Sequence, residues 1–304
     1  MILRTVFLFL SRQKHLRRWM ETSSLSSKLT RRFVAGRTLD EGLAVCRKLN
    51  GERILATLDH LGENVTSLAE ARASRDACLE AVRRIAAGGI DSTVSIKLTQ
   101  FGMDLSEPEC ERNVAELVEL AKSLGSSLEM DIESSEYVDR TLAMVARLHQ
   151  RFQAVRSVIQ AYLYRSEEDV RRLSELGVPI RLCKGAYQEP ASVAFPSKAK
   201  VDENYRRLAH LLLEKGVRPA IATHDPNMIQ AAIASAKQLG LHPDQFEFQM
   251  LYGVRRDLQN RIVAAGYRLR LYVPYGDAWY PYFMRRLAER PANVLFLART
   301  LLRQ

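Results

Sequence analysis

The 304-residue chain lacks several features that would place it in a common protein class. Its four cysteines stand far apart without a CxxC pair, which excludes a disulfide framework and predicts reduced thiols in a cytosol. No apolar run approaches the roughly 20 residues of a membrane span. No GxGxxG sequence follows an apolar run, so the fingerprint of an open dinucleotide-binding sheet is missing. Among six histidines, only His224 is interpreted as lying at a strand end, so no metal site is predicted.

Nucleic-acid binding and secretion are also disfavoured by the distribution of charge. The net charge of +10 is spread along the chain, with no lysine–arginine block interleaved with aromatic residues. The first 20 residues place a short apolar block before a basic one, whereas a signal peptide places its charges first. We expect an N-terminal amphipathic helix whose basic half suits an anionic membrane surface. The chain is therefore predicted to be cytoplasmic, with peripheral contact at the inner face of the membrane.

What the chain does contain is a regular alternation of two kinds of segment. After a helical N-terminal region at residues 1–50, longer segments of helical periodicity alternate with eight short apolar ones: 53–62, 92–102, 127–133, 157–163, 178–187, 218–225, 246–253 and 267–276. Continuous apolar strands joined by helices indicate a parallel sheet covered on both faces. Eight such units predict a single (β/α)8 barrel of the TIM type over residues 51–304.

Polar side chains stand at the end of nearly every predicted strand. In chain order they are Asp59 and Glu63, Lys97 and Gln100, Asp131 and Glu133, Gln160 and Tyr162, Lys184 and Tyr187, Thr223 and His224, Gln249 and Tyr252, and Tyr272 and Tyr275. In a barrel of this kind the functional face is the carboxyl end of the strands. We therefore expect one ring-shaped site.

The segment 269–290 is rich in aromatic residues and contains Arg285 and Arg286 side by side. A pair of guanidinium groups beside partly polar rings suits a small apolar carboxylate, because it offers a fork for the anion and walls for the hydrocarbon. The alternative is a helix with a solvated basic face, since six other arginine pairs occur in the chain.

Other candidate residues leave alternatives open. Lys97 lies in an apolar strand, where it is either a Schiff-base nucleophile or the partner of a carboxylate such as Asp131. His224 has the chemistry of a base, a metal ligand or a hydrogen-bond donor. In RLCKGAY (181–187), basic side chains flank a Gly-Ala pair that allows close backbone approach, which suits a cofactor carrying phosphate and rings.

Eight ordered blocks resemble the signature blocks of the proline dehydrogenase family: SIKLTQFG (95–102), EMDIE (129–133), VIQAYLYR (158–165), RLCKGAY (181–187), AFPSKAKVDENY (194–205), ATHDP (222–226), FEFQMLYGV (246–254) and YVPYG with WYPYFMRRLAERPAN (272–293). The resemblance covers residues 30–300 and is closest to the short bacterial monofunctional form. It implies a distorted (β/α)8 barrel that holds FAD at the carboxyl ends of the strands. It also implies oxidation of L-proline to (S)-1-pyrroline-5-carboxylate by hydride transfer to FAD, with the electrons passed to a quinone.

The resemblance also implies roles for individual residues. The catalytic residues would be Arg181, Lys97 and Asp131. The substrate would be bound by Lys97, Tyr272, Tyr275, Tyr282, Arg285, Arg286 and Leu251, with Glu63 pairing with Arg285 as a gate. FAD would be bound by Gln160, Arg181, Cys183, Lys184, Gly185, Ala186, Ser197, Thr223, His224, Gln249 and Glu289. The alternative is a Schiff-base barrel lyase that uses Lys97 or Lys184.

Overall fold

Eight parallel strands close into a barrel in chain order in a computed structural model that describes residues 32–62, 65–280 and 282–284. The strands are β1 Leu55–His60, β2 Ser92–Ile96, β3 Leu128–Met130, β4 Val155–Gln160, β5 Ile180–Cys183, β6 Ala220–Ala222, β7 Glu247–Leu251 and β8 Arg268–Tyr275. Strand β1 closes the barrel by pairing with both β2 and β8, with Asp59 opposite Ser95 on one side and Pro274 on the other. The predicted (β/α)8 barrel is confirmed.

Helices separate the strands and form the outer layer. They are α1 Leu39–Gly51, α2 Leu68–Ala87, α3 Glu107–Ser123, α4 Val138–Phe152, α5 Ser166–Glu175, α6 Lys198–Lys215, α7 Pro226–Gln238 and α8 Arg256–Ala264. Several begin at a residue whose side chain accepts a hydrogen bond from a backbone N–H of the first turn, as the N-cap rule requires: Thr38, Ser67, Ser106, Ser197 and Asp225. None of the helices in the described residues is long and apolar enough to cross a membrane.

Helix α1 precedes the first strand yet belongs to the barrel. It packs against β1 and β8, and buries Leu43 in the main apolar core. The contact is close, since a Cβ added at Gly42 would lie 3.1 Å from Leu58 and 3.3 Å from Tyr275. The boundary expected at residue 50 therefore falls inside a helix of the barrel's outer layer.

The two faces of each strand differ in chemistry. In β3, Leu128 and Met130 point outward into the apolar layer between strands and helices, while Glu129 points into the barrel; all three are fully buried. Alternate residues of a strand face opposite sides of the sheet, so this pattern places apolar side chains against the helices and polar ones around the barrel axis.

Candidate active site

Among the described residues, the inside of the barrel contains four acidic and four basic side chains that are joined by ion pairs. They are Asp59, Glu129, Asp131 and Glu247, together with Lys97, Arg156, Arg181 and Arg270. An unpaired charge is expensive to remove from water, so a buried group of this size is tolerated only if its members neutralise one another. Equal numbers of each sign achieve that balance here.

Asp131 lies at the carboxyl ends of the strands, where four other side chains contact its carboxylate. Its Oδ2 accepts a hydrogen bond from the Tyr272 hydroxyl at 2.7 Å and lies 3.4 Å from Lys97 Nζ. Its Oδ1 accepts a hydrogen bond from Ser95 Oγ at 2.9 Å and pairs with Arg181. Burial alone would raise the pKa of Asp131, but Arg181 and Lys97 lower it below the ordinary value of 3.8. The carboxylate is therefore held ionised, and the predicted pairing of Lys97 with Asp131 is confirmed.

Lys97 follows β2 directly and is fixed by its surroundings. Its Nζ lies 3.5 Å from Asp59 Oδ1 and donates a hydrogen bond to the Tyr272 hydroxyl at 3.3 Å. The short 3₁₀ turn after it is anchored by Glu133, which accepts hydrogen bonds from the backbone N–H and the hydroxyl of Thr99 at 3.3 and 2.7 Å. Glu133 thus sets where the lysine enters the site.

Arg181 lies on the barrel axis and is almost completely buried, with 6% of its surface exposed. Its guanidinium carbon is 5.3 Å from the centre of the Tyr272 ring, and Nη1 is 3.3 Å from Glu129 Oε2. Burial alone would lower the pKa of Arg181, and the charges of Asp131 and Glu129 raise it above its ordinary value. The side chain therefore provides a permanent positive charge at the centre of the barrel.

Gln249, expected to contact the cofactor, is buried between two charged groups. Its Oε1 accepts a hydrogen bond from Arg181 Nη1 at 3.5 Å, and its Nε2 donates one to Glu247 Oε1 at 2.7 Å. Arg270 Nε donates a second hydrogen bond to that same oxygen at 2.9 Å. Since a carboxylate only accepts and a guanidinium only donates, the amide of Gln249 has one possible orientation.

Gln160 ends β4 and retains an unused acceptor. Its Nε2 donates hydrogen bonds to the carbonyl oxygens of Ile132 and Glu133, each at 2.9 Å. Its buried Oε1 has no hydrogen-bond partner among the described residues. Cys183 lies opposite Gln160 on β5, and burial raises the pKa of its thiol to about 11, so the thiol is neutral.

The Gly-Ala pair after β5 contacts a flat ring that belongs to the protein. Gly185 has a φ of +109°, and a Cβ added there would lie 2.3 Å from the ring of Tyr162. The hydroxyl of Tyr162 donates a hydrogen bond to Glu189 at 3.4 Å, and Glu189 also accepts one from the backbone N–H of Ser135 at 2.8 Å. The loops after β3, β4 and β5 are thereby tied together at the mouth of the barrel.

Lys184, next to Gly185, is bound by two carboxylates outside the barrel interior. Its Nζ lies 2.5 Å from Asp202 Oδ1 and 3.0 Å from Asp225 Oδ2. Thr223 Oγ1 accepts a hydrogen bond from the backbone N–H of Asp225 at 3.1 Å. Three elements, β5, α6 and the β6–α7 turn, meet at this lysine.

His224 and Ser197, both expected near the cofactor, have local structural partners. The Nε2 of His224 accepts a hydrogen bond from the backbone N–H of Leu251 at 2.8 Å, so a neutral His224 carries its proton on Nδ1. Ser197 is exposed and caps α6 by accepting a hydrogen bond from the backbone N–H of Lys200 at 3.2 Å.

Tyr275 does not lie where the sequence prediction placed it. Tyr272 faces the barrel interior, and a residue three positions further along a strand faces the opposite side. Tyr275 accordingly packs between the barrel and α1, where its ring centre is 5.1 Å from that of His60. His60 is itself the last residue of β1, so the interpretation of His224 as the one histidine at a strand end was wrong.

The remaining predicted residues divide into two groups. Tyr282 is buried in a second apolar cluster with Phe33, and Leu251 packs against the same cluster. Ala186 is exposed at the mouth of the barrel. Four others lie outside the described residues: Glu63, Arg285, Arg286 and Glu289. The arginine clamp and its gate therefore stay predictions.

Comparison with known proteins decides the family. The model of the proline dehydrogenase family matches residues 43–299. Proline dehydrogenase 1 of Bacillus subtilis is 40% identical over 304 residues, all of both chains. The proline dehydrogenase of Deinococcus radiodurans is 41% identical over 280 residues, 90% of each chain.

The chain belongs to the proline dehydrogenase family.

A solved structure agrees with this assignment. Proline utilization A from Bdellovibrio bacteriovorus, in a crystal structure of the protein inactivated by N-propargylglycine, superposes with a TM-score of 0.81 at 29% identity. The match covers 86% of this chain and 32% of that one, so the chain spans about a third of that larger protein. The resemblance read from the ordered sequence blocks is confirmed.

For this member of the proline dehydrogenase family, a search restricted to the carboxyl ends of the strands missed functional residues that lie earlier in the strands. Glu129 and Glu247 belong to the charged group inside the barrel and Ser95 contacts it, yet none of the three stands at the carboxyl end of its strand. The sequence did contain a pattern that identifies them, because each lies two residues before a predicted site residue and therefore faces the same side of the sheet. An acidic residue flanked by apolar ones inside a predicted strand, such as Glu129, is therefore a candidate for the barrel interior.

Proposed function

We propose that this protein oxidises L-proline to (S)-1-pyrroline-5-carboxylate, with FAD as the hydride acceptor and a quinone as the next electron acceptor. The observation that carries the proposal is the cluster of Lys97, Asp131, Arg181 and Tyr272 at the carboxyl end of the barrel, in which Arg181 is buried and the other three are partly buried. This cluster joins fixed positive charge to an aromatic wall. Both are needed to hold a small apolar carboxylate in one orientation.

The residues of this chain bind and orient the substrate. Lys97 would attract the proline carboxylate together with Arg285 and Arg286, and the ring of Tyr272 would limit how the pyrrolidine ring lies. Asp131 holds both Lys97 and the Tyr272 hydroxyl, so it fixes this arrangement before the substrate arrives. Orientation of this kind can lower a barrier by roughly 7–11 kcal/mol when the reacting atoms are well aligned.

The donor and acceptor groups at the strand ends fit a flavin. Gln160 presents a buried acceptor that suits a ring N–H, and Arg181 presents positive charge on the barrel axis. When bound, FAD supplies the acceptor for the hydride that leaves C5 of proline. Arg181 would stabilise negative charge that develops on the ring. We assign the cofactor to Gln160, Arg181, Cys183, Lys184, Gly185, Ala186, Thr223, His224 and Gln249 at or beside the strand ends, to Ser197 at the start of α6, and to Glu289, which lies outside the described residues.

In this proposal, solvent removes the proton from the substrate amine. Proline must react as the free amine, and Asp131 is the carboxylate of the cluster of Lys97, Asp131, Arg181 and Tyr272. With its pKa lowered by Arg181 and Lys97, Asp131 is a weak base at neutral pH. Its function in this proposal is to position its neighbours.

The quinone and the membrane contact rest on the chemistry of the N-terminal segment. Its basic half, at residues 12–18, would bind the protein to the anionic surface of a membrane, and a lipophilic quinone dissolves in that membrane. This segment lies outside the described residues. Binding to vesicles of anionic lipid, compared before and after removal of residues 1–20, tests this part of the proposal.

The Schiff-base alternative conflicts with the surroundings of both lysines. A Schiff base requires a neutral amine as the nucleophile. Lys97 lies between Asp59 and Asp131, and Lys184 lies between Asp202 and Asp225, so each amine is engaged in ion pairs with two carboxylates and is not presented to a carbonyl carbon.

Anaerobic titration of the purified protein with L-proline tests the proposed function. We expect a yellow protein whose flavin absorbance is bleached by proline. Arg285→Met should weaken the apparent affinity for proline strongly, whereas Arg83→Met on the exposed face of α2 should leave it unchanged. A colourless protein that borohydride traps with a carbonyl substrate would refute the proposal.

A further inference from the structure

Glu129 is a fully buried carboxylate one layer below the substrate cluster. It lies in the middle of β3, and its Oε1 accepts hydrogen bonds from the hydroxyls of Thr57 and Thr93 at 2.8 and 2.9 Å. Its Oε2 lies 3.3 Å from Nη1 of Arg181. One oxygen of this carboxylate is therefore held by two hydroxyl groups, while the other faces the guanidinium.

Arg181 is thereby held between two carboxylates. Nη1 faces Glu129 below, and Nη2 pairs with Asp131 above. The guanidinium is planar and its two Nη atoms are fixed relative to each other, so these two ion pairs are its main anchors, beside the longer hydrogen bonds at 3.5 Å to Gln249 and Ser95. Removal of either one leaves the group free to shift toward the other.

Glu129 also acts on the two other arginines of the barrel interior. Its charge favours the protonated forms of Arg156 and Arg270 as well as that of Arg181. Arg270 reaches it through Thr93, whose hydroxyl lies 3.5 Å from Arg270 Nη1. Glu129 is therefore the anion shared by all three buried arginines.

We propose that Glu129 is a positioning residue for proline oxidation, which holds the Arg181 guanidinium in place beneath the reacting centre and balances its charge. The inference rests on the proposed function, in which Arg181 lies beside the reactive part of the cofactor. The carboxylate itself acts through Arg181, without contact to the substrate.

The charge of Glu129 has a consequence that packing alone would not have. Its loss adds one net positive charge to a buried site. Positive charge near a flavin stabilises the reduced, more negative form, so the midpoint potential should rise. The released guanidinium also shifts toward Asp131, and a displacement of about 1 Å is enough to slow an aligned reaction by roughly a hundredfold.

Three variants separate these effects in the intact flavoprotein. Glu129→Gln keeps the shape and an acceptor for the two threonines but removes the charge. Glu129→Asp keeps the charge and withdraws it by one C–C bond, about 1.5 Å. Asp169→Asn is the matched control, because Asp169 is a buried carboxylate paired with Arg165 at 2.7 Å on α5, outside the barrel. The readouts are the midpoint potential from spectroelectrochemistry and the rate of anaerobic flavin reduction by proline.

We expect Glu129→Gln to slow reduction by proline at least tenfold, with the apparent affinity for proline changed less than threefold. Its midpoint potential should rise by about 30 mV, equivalent to a tenfold change in the two-electron equilibrium. Glu129→Asp should slow reduction less and keep the potential of the unmodified protein. Asp169→Asn should keep both values.

The inference is overturned if Glu129→Gln matches the unmodified protein in rate and potential. It is also overturned if Glu129→Gln and Asp169→Asn slow reduction equally without a change in potential, because that result indicates a loss of packing. If Glu129→Gln does not fold, Glu129→Asp decides, and an unchanged rate in that variant refutes the positioning role. Failure of the unmodified protein to bleach with proline would instead refute the proposed function.

Discussion

The strongest test of the charged barrel interior is the replacement Glu247→Gln. Glu247 is 4% exposed, and its Oε1 accepts hydrogen bonds from Arg270 and Gln249. Nη2 of Arg156 lies 3.5 Å from the same oxygen. Burial by itself would raise the pKa of Glu247, but the two arginines together with these hydrogen bonds lower it from 4.5 to about 2. A shift of that size corresponds to about 3 kcal/mol of folding stability at neutral pH.

The sign of this effect determines its pH dependence. Because the pKa of Glu247 is lower in the folded protein, its contribution is present above pH 4.5 and is lost as the pH falls toward 2. We expect Glu247→Gln to reduce the free energy of unfolding by about 3 kcal/mol at pH 7. The difference from the unmodified protein should shrink progressively between pH 4.5 and pH 3.

Urea denaturation at a series of pH values provides the assay. Asp139→Asn is the matched control, because Asp139 pairs with Arg165 at 2.6 Å but its side chain is 81% exposed. Exposed ion pairs contribute little, so the control should retain the stability of the unmodified protein at every pH. A loss below about 1 kcal/mol for Glu247→Gln at pH 7, or a loss that is the same at pH 7 and pH 3, would refute the reasoning.

Two further replacements test the site and its rim. Tyr272→Phe removes the hydroxyl that donates a hydrogen bond to Asp131, an interaction that contributes about 1–1.5 kcal/mol. We therefore expect kcat/KM for proline to fall about tenfold in steady-state assays, and an unchanged value would contradict this role. Gly185→Ala places a Cβ 2.3 Å from the ring of Tyr162 and should lower the flavin content measured by absorbance. Gly177→Ala is its control, since Gly177 also has a positive φ but open space around it, and equal flavin loss in both variants would exclude the ring contact as the cause.

The barrel could be predicted because its signal is local and repeated. Eight apolar segments alternate with amphipathic ones, and this pattern leaves few ways to bury the apolar faces other than a closed parallel sheet with helices outside it. Ser106 caps α3 by accepting a hydrogen bond from the backbone N–H of Glu109, an interaction that is likewise local in the sequence.

The place of α1 could not be read in the same way. Its helical periodicity is visible, but which strands it covers depends on the closure of β8 onto β1, some 200 residues apart in the chain. The error at Tyr275 has a related cause. The sequence shows a tyrosine near a strand end, whereas the pleat of the strand decides which face receives it.

The sequence by itself determined the fold class and the family, because both rest on order along the chain and on local patterns. Only the tertiary structure decided which charges meet. Asp131 lies between Lys97, Arg181 and Tyr272, from three other strands, and Glu129 lies beneath the same arginine. Electrostatic energy depends on distances of a few ångströms in a medium of low polarity, and closure of the barrel alone sets those distances.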